Sequence, residues 1–127
     1  GTMGFGLPAA IGASLGTGLT AVNIAGDGSF NMNLAEITTA VKYSLPLIQV
    51  VCNNRQLGMI TGWQDGKYGG RHVENITLPL DYAAAARAMG ADGFTVSTEQ
   101  ELADAVTAAL SSGRVTVIDV RLAGLEE

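Results

Sequence analysis

Two stretches decide the fold: Thr20-Ala21-Val22-Asn23-Ile24-Ala25-Gly26-Asp27-Gly28 and Pro46-Leu47-Ile48-Gln49-Val50-Val51-Cys52-Asn53-Asn54. Each is a β-branched run closed by a short polar motif. Residues 29 to 52, 24 positions in all, lie between Gly28 and Asn53. They divide into a loop (29–33), a helix expected from Leu34 to about Tyr43, a turn (44–46) ended by Pro46, and a strand (47–52). Such a helix rises about 15 Å and such a strand about 20 Å, so the crossover brings the chain back to the same edge of the sheet. Asp27 and Asn54 then both emerge at the carboxyl ends of parallel strands, where open α/β sheets bind ligands.

Outward from this unit the same alternation continues. Gly4 to Gly16 reads as a helix with Pro8 in its first turn; small residues all round it predict close packing on both sides. Asn33 and Glu36 have the spacing of a capping box. The near-continuous apolar run 47–52 suits a sheet covered on both faces. Asn53 to Leu78 is expected to be a long functional loop with a short helix near Leu57–Trp63. Asp81 caps a helix from Tyr82 to Met89 ended by Gly90, and Phe94-Thr95-Val96 is a short strand. Thr98 and Glu101 form a second capping box before a helix Glu99–Leu110, stopped by Gly113, and Val115 to Val120 is a strand. Strands and helices alternating in this way give a parallel α/β sheet sandwiched by helices.

Composition narrows the function classes. Apolar residues make up 47% and charged residues 15%, which excludes a disordered chain. Seven Lys and Arg against twelve Asp and Glu leave a net charge of −5, without the basic face of a nucleic-acid binder. No apolar run is long enough to cross a bilayer and no signal peptide is visible, so no membrane partner is expected. A single cysteine fits a reducing compartment, here the cytoplasm. The opening Gly1-Thr2-Met3-Gly4 lacks an initiator Met and reads as a turn entering a helix. The expectation is therefore a domain truncated at its N-terminus and belonging to a longer polypeptide, prone to associate through an uncovered sheet edge.

The carboxylate of Asp27, the amide oxygen of Asn54 and a neighbouring main-chain carbonyl form a hard oxygen set suited to Mg²⁺, an ion that commonly takes further ligands from phosphate. Gly28 and Ser29 would offer backbone N–H groups to the same phosphates, and glycine permits close approach. These residues are built for a diphosphate held through a divalent cation. Gly26 and Gly28 alone would be weak evidence, since they could simply end a strand. Gly4 and Gly6 do not complete a dinucleotide fingerprint, because Ala9 fills the third glycine position.

Gly-Asp-Gly, the gap of 24 and Asn-Asn resemble the signature of the thiamine-diphosphate-dependent enzyme superfamily. Three stretches are similar to the catalytic subunit of acetolactate synthase (acetohydroxyacid synthase): Gly1 to Ala13, Gly26-Asp27-Gly28-Ser29-Phe30-Asn31-Met32, and Asn53-Asn54-Arg55-Gln56-Leu57-Gly58-Met59, with Trp63-Gln64 continuing the likeness. The resemblance covers residues 1–127 as a partial thiamine-diphosphate-binding (PP) domain. It implies Asp27 and Asn54 as Mg²⁺ ligands by side chain and Gln56 by its main-chain carbonyl. Gly26, Asp27, Gly28, Ser29, Asn54, Gln56, Leu57, Gly58 and Met59 would surround the cofactor, and Gly1 and Met3 would offer backbone groups to its aminopyrimidine. It further implies Met3 as the wedge that bends the cofactor, Met59 and Trp63 as substrate-pocket residues, and Gly62 to Arg71 as a mobile cover. The implied reaction condenses two pyruvates, or pyruvate and 2-ketobutyrate, with loss of CO₂, in branched-chain amino-acid biosynthesis. A glutamate from a pyrimidine-binding domain of the same or a neighbouring subunit is needed, so a homo-oligomer is expected and the isolated 127 residues should be inactive. FAD stays open for the full-length enzyme. Glyoxylate carboligase, pyruvate oxidase and a non-catalytic diphosphate-binding domain are the alternatives.

Ordinary structural roles compete at several positions. Met3 and Trp63 would serve as packing residues without the resemblance. Cys52 in an apolar strand reads as an inert buried thiol, and His72 has no visible partner. Arg55, Lys67 and Arg71 read as solvated, as does the tail Glu126-Glu127.

Overall fold

A computed structural model describes residues 1–75 and 79–122; Ile76–Leu78, the end of the expected loop, and the Glu126-Glu127 tail lie outside the described residues. In chain order the elements are α1 (Gly6–Thr17), β1 (Ala21–Gly26), α2 (Asp27–Asn31), a 3₁₀ turn (Leu34–Glu36), α3 (Ile37–Lys42), β2 (Leu47–Asn53), α4 (Gly58–Tyr68), α5 (Tyr82–Ala88), β3 (Asp92–Val96), α6 (Glu99–Ser112) and β4 (Thr116–Arg121). The four strands are parallel in the order β1-β2-β4-β3. The parallel α/β architecture expected from the alternation is the one observed, with strand ends moved by a residue or two.

Strand pleating sorts the side chains into two layers. On one face Leu47, Val51 and Val117 pack against Leu7, Ala10 and Ile11 of α1, Ile37 and Ala40 of α3, and Tyr82 and Ala86 of α5. On the other, Ile48, Val50, Val96 and Ile118 pack against Ala105 and Ala109 of α6. Burying each large aliphatic side chain stabilises the fold by about 1.5–3 kcal/mol. The expectation of a sheet covered on both faces holds for β2 but not for β1, where Val22 and Ile24 are 57% and 68% exposed. Likewise α1 is packed on one side only: Leu7, Ala10, Ile11 and Ser14 are buried, while Gly12, Ala13 and Gly16 on the opposite side are exposed.

Capping explains which helix boundaries were predictable. The Thr98 hydroxyl accepts from the Glu101 N–H at 3.2 Å, and the Glu101 carboxylate accepts from the backbone N–H groups of Ser97 and Thr98 at 2.7 and 3.1 Å. Those backbone bonds hold the Glu101 carboxyl below its ordinary pKa. Asp81 accepts from the Ala84 N–H at 2.8 Å. Gly113, at φ 63°, ends α6 in the left-handed conformation.

The expected Asn33–Glu36 box does not form. Asn33 donates instead to the Gly4 carbonyl at 2.7 Å, and Glu36 accepts from Thr39 Oγ1 at 2.7 Å. The helix expected from Leu34 is accordingly a 3₁₀ turn followed by the short α3, and part of the expected 29–33 loop is the helix α2. The expected loop after Asn53 contains an eleven-residue helix, α4. Its apolar periodicity is weak because it buries only Thr61, so most of its side chains had no packing constraint to record.

The α5–β3 contact is tight. A Cβ at Gly93 would collide with the Ala83 carbonyl oxygen and come within 3.0 Å of its Cα, and backbone atoms cannot rotate away. Gly93→Ala is expected to destabilise the fold by about 2 kcal/mol or more, measured as a lowered midpoint in denaturant unfolding with unchanged slope.

Candidate functional site at the carboxyl edge of the sheet

The β1–β2 register sets the site. Gly26 lies opposite Cys52, so the chain leaves both strands at the same level. Leaving β1, it enters α2 at Asp27, 1% exposed; leaving β2, it reaches Asn54. Asn54 Oδ1 accepts from the Gln56 N–H at 3.3 Å, a local turn in which Arg55 adopts φ 58°. The Gln56 side chain accepts from Thr61 Oγ1 at 3.1 Å. Buried Asn75 closes this corner: its carbonyl accepts from the Leu57 N–H at 2.7 Å, and its Nδ2 donates to Thr61 Oγ1 at 3.0 Å.

A second network supports the motif from within the sheet. Asp119 on β4 is fully buried; it accepts from Asn53 Nδ2 at 2.9 Å and from the Tyr82 N–H at 3.1 Å, and it pairs with Arg121 at 2.9 Å. Asn53 Oδ1 is buried without a hydrogen-bond partner among the described residues. Tyr82 packs edge-on against Phe30, with ring centroids 5.5 Å apart, and its hydroxyl donates to the Asp27 carbonyl at 3.3 Å. Burial first, then the Asp27 and Asp119 carboxylates, push the Tyr82 pKa up to about 12, with Arg121 opposing.

These elements frame a cavity of about 370 Å³, within the range of small-molecule sites. Gly1, Met3, Gly26, Asp27, Gly28, Ser29, Asn54, Gln56, Leu57, Gly58 and Met59 all line it. Trp63 does not: it stands on α4, 55% exposed, with Lys67 Nζ 5.6 Å from its ring centroid. The cover expected over Gly62 to Arg71 is helical as far as Tyr68. Cys52 is half-buried rather than fully enclosed and lines the cavity with Ile60 and Leu122. His72, expected to have no partner, lies 2.7 Å from Asp65 Oδ1.

The sequence reading missed Asn75, Asp119, Tyr82 and Leu122. Asp119 carried a signal, an acid inside an apolar run; Asn75 carried none. Asp27, Asn54 and the main chain near Gln56 supply oxygen donors, and among the described residues no three His, Cys, Asp or Glu cluster as a metal cage. A divalent ion binding here would thus be one that accepts amide and phosphate oxygens. Among the described residues no helix is long and apolar enough to cross a membrane.

Residues 1–120 match the family described as thiamine pyrophosphate enzyme, C-terminal TPP binding domain. The chain is 42% identical over 131 aligned positions to the acetolactate synthase isozyme 3 large subunit of Escherichia coli (strain K12), covering 99% of this chain and 23% of that one. It is 43% identical over 122 positions to a thiamine pyrophosphate-containing protein of Bacillus subtilis (strain 168), covering 95% and 21%. The solved thiamine diphosphate-dependent 4-hydroxybenzoylformate decarboxylase of Rhodococcus jostii RHA1 superposes with a TM-score of 0.90 at 29% identity, covering 98% of this chain and 24% of that one. The chain thus spans less than a quarter of the length of these relatives.

Folded Tyr82 keeps its proton past the pH at which an unfolded tyrosine, near 10, loses it. Its contribution to stability is complete below about pH 10 and is lost as pH rises from there through about 12. Tyr82→Phe is expected to remove this alkaline loss and to cost about 1 kcal/mol at neutral pH for the hydrogen bond to Asp27. Thermal unfolding of both proteins across that pH range checks the prediction.

Proposed function

The chain belongs to the thiamine pyrophosphate enzymes, as their C-terminal TPP-binding domain, and from that premise we propose that its cavity holds the diphosphate end of thiamine diphosphate through Mg²⁺ within an acetolactate synthase. The observation that carries this reading is the convergence of Asp27 and Asn54, from the ends of adjacent parallel strands, on one cavity bordered by Gly26, Gly28 and Ser29. In this reading Asp27 and Asn54 ligate the ion by side chain. Gln56 does so by its main-chain carbonyl, since its side-chain amide is engaged by Thr61. Gly28 and Ser29 direct backbone N–H groups at the phosphates, and glycine admits them closely.

Thiamine diphosphate, when bound, supplies the carbon nucleophile and the electron sink for decarboxylating a 2-keto acid. The protein's part is shape and exclusion of water. Met3 would be the wedge that sets the cofactor's shape, the backbone of Gly1 and Met3 would meet its aminopyrimidine, and Leu57, Gly58 and Met59 wall the cavity. Trp63, which stands outside the cavity in this chain, serves substrate selection in company with a pyrimidine-binding domain that also brings the activating glutamate. The working enzyme is a cytoplasmic homo-oligomer that joins two pyruvates, or pyruvate and 2-ketobutyrate, in branched-chain amino-acid biosynthesis. FAD, where the full-length enzyme takes it, occupies another domain.

The similarity to a Bacillus subtilis protein named only as thiamine pyrophosphate-containing shows that the likeness extends beyond synthases, and the second reading is a sibling such as pyruvate oxidase or glyoxylate carboligase. Product analysis with pyruvate separates them: acetolactate supports the synthase, and acetate with peroxide supports the oxidase.

Removing even an outer partner of a metal site costs about 10–100-fold in affinity, so Asp27→Ala should weaken Mg²⁺-dependent cofactor binding by more than about 100-fold in calorimetry; unchanged binding would overturn the metal assignment. Trp63→Leu should shift the preference between pyruvate and 2-ketobutyrate as acceptor by roughly tenfold with little change in cofactor affinity. Competition between the two acids in a product assay checks it.

A further inference from the structure

The geometry points to Asn33 as a positioning residue that fixes the Met3 turn against the Asp27 segment, so that the two ends of the cofactor cavity are held at a set spacing. This rests on the thiamine diphosphate reading of that cavity. Gly4 is gripped on both of its backbone polar groups by side chains from one distant segment. Its N–H donates to Ser29 Oγ at 3.0 Å, and its carbonyl accepts from Asn33 Nδ2 at 2.7 Å. Ser29 lies two residues beyond Asp27, and Met3 immediately precedes Gly4. The clasp therefore joins the wall expected to anchor the diphosphate to the wall expected to meet the ring.

Three observations indicate that the clasp is selected over local alternatives. First, Gly4 is buried and has φ +82°. A Cβ there would lie 2.8 Å from Asn33 Nδ2 and 3.3 Å from Met32 Cβ, so the close approach depends on glycine. Second, Asn33 with Glu36 offers a helix cap that would normally contribute about 1 kcal/mol. The chain forgoes it, starting with a 3₁₀ turn and leaving α3 only six residues long. Local preference yielding to a tertiary contact is expected at functional positions. Third, the clasp aside, this turn is held by Phe5 N–H to the Thr2 carbonyl at a long 3.3 Å, while Phe5 itself is tied to α1 by the Ala9 N–H at 3.1 Å, so the clasp carries much of the order of residues 1–4.

The test compares two probes on the full-length protein by calorimetry in the presence of Mg²⁺: inorganic pyrophosphate, which reports the Asp27 wall alone, and thiamine diphosphate, which needs both walls. Asn33→Asp keeps the side-chain shape but replaces the donor facing the Gly4 carbonyl with an acceptor. It should weaken thiamine diphosphate by roughly tenfold or more, leave pyrophosphate within about twofold, and speed amide hydrogen exchange at Gly4. Gly4→Ala, whose Cβ would lie 2.8 Å from Asn33 Nδ2, should show the same split by opening the clasp from the other side and decides the matter if the first variant does not fold. Parallel loss of both ligands, or loss of neither, overturns the positioning role. A parent protein that binds neither probe refutes the cofactor reading itself, an outcome separate from failure of the split.

Discussion

The register between β1 and β2 is the constraint on which the site depends. With Gly26 opposite Cys52, the next residue on one strand is the carboxylate of Asp27, and the amide of Asn54 lies two residues on along the other. A slip of one residue would invert the pleat and send each side chain to the other face of the sheet. Register is defended by burial: Leu47 and Val51 belong to one packed layer and Ile48 and Val50 to the other. It is also defended by a polar pair, Asn23 Nδ2 to Gln49 Oε1 at 2.6 Å, which places directly opposed positions in contact. The core is therefore what aims the site.

Around that register the structure invests in buried polar groups. Asp119, Asn53, Tyr82 and Arg121 form a connected set behind the cavity wall, and Asn53 precedes Asn54 directly. Buried polar networks contribute specificity when their members are satisfied and are costly when they are not. Asp119 is well satisfied, with three partners. Asn53 Oδ1, without a partner among the described residues, is a cost accepted within one residue of the group expected to meet the ion.

Much of this was legible in the sequence for a definable reason. The strands, the Asp81 cap and the Thr98–Glu101 box were readable because short β-branched apolar runs and local side-chain-to-backbone bonds leave marks within a few residues. The grouping of Asp27 with Asn54 was readable because the 24 positions between Gly28 and Asn53 fit one helix and one strand. The misreadings share a different cause. Asn33 obeys the local capping rule in composition but bonds to a residue 29 positions away. The helix expected near Leu57–Trp63 is α4, and its continuation to Tyr68 was not readable because a helix that buries only Thr61 carries no stripe. Trp63 is a different case: it stands outside the cavity, and the direction in which a helix presents a side chain depends on a phase that an unstriped sequence does not set. Asn75 acts through backbone and hydroxyl contacts that no spacing announces.

The placement of β4 between β2 and β3 has a consequence for how the molecule matures. β2 stays without its second neighbour until a strand more than sixty residues further along has arrived, and pairing across such separations is slow because loop closure precedes any reward. During synthesis the first half of the chain leaves the ribosome with β1 and β2 present but with the Asp119 support absent. Competence to bind is thus acquired late, as a property of the completed sheet, and nascent chains pass through a stage in which the polar motif exists in sequence but not yet as a site.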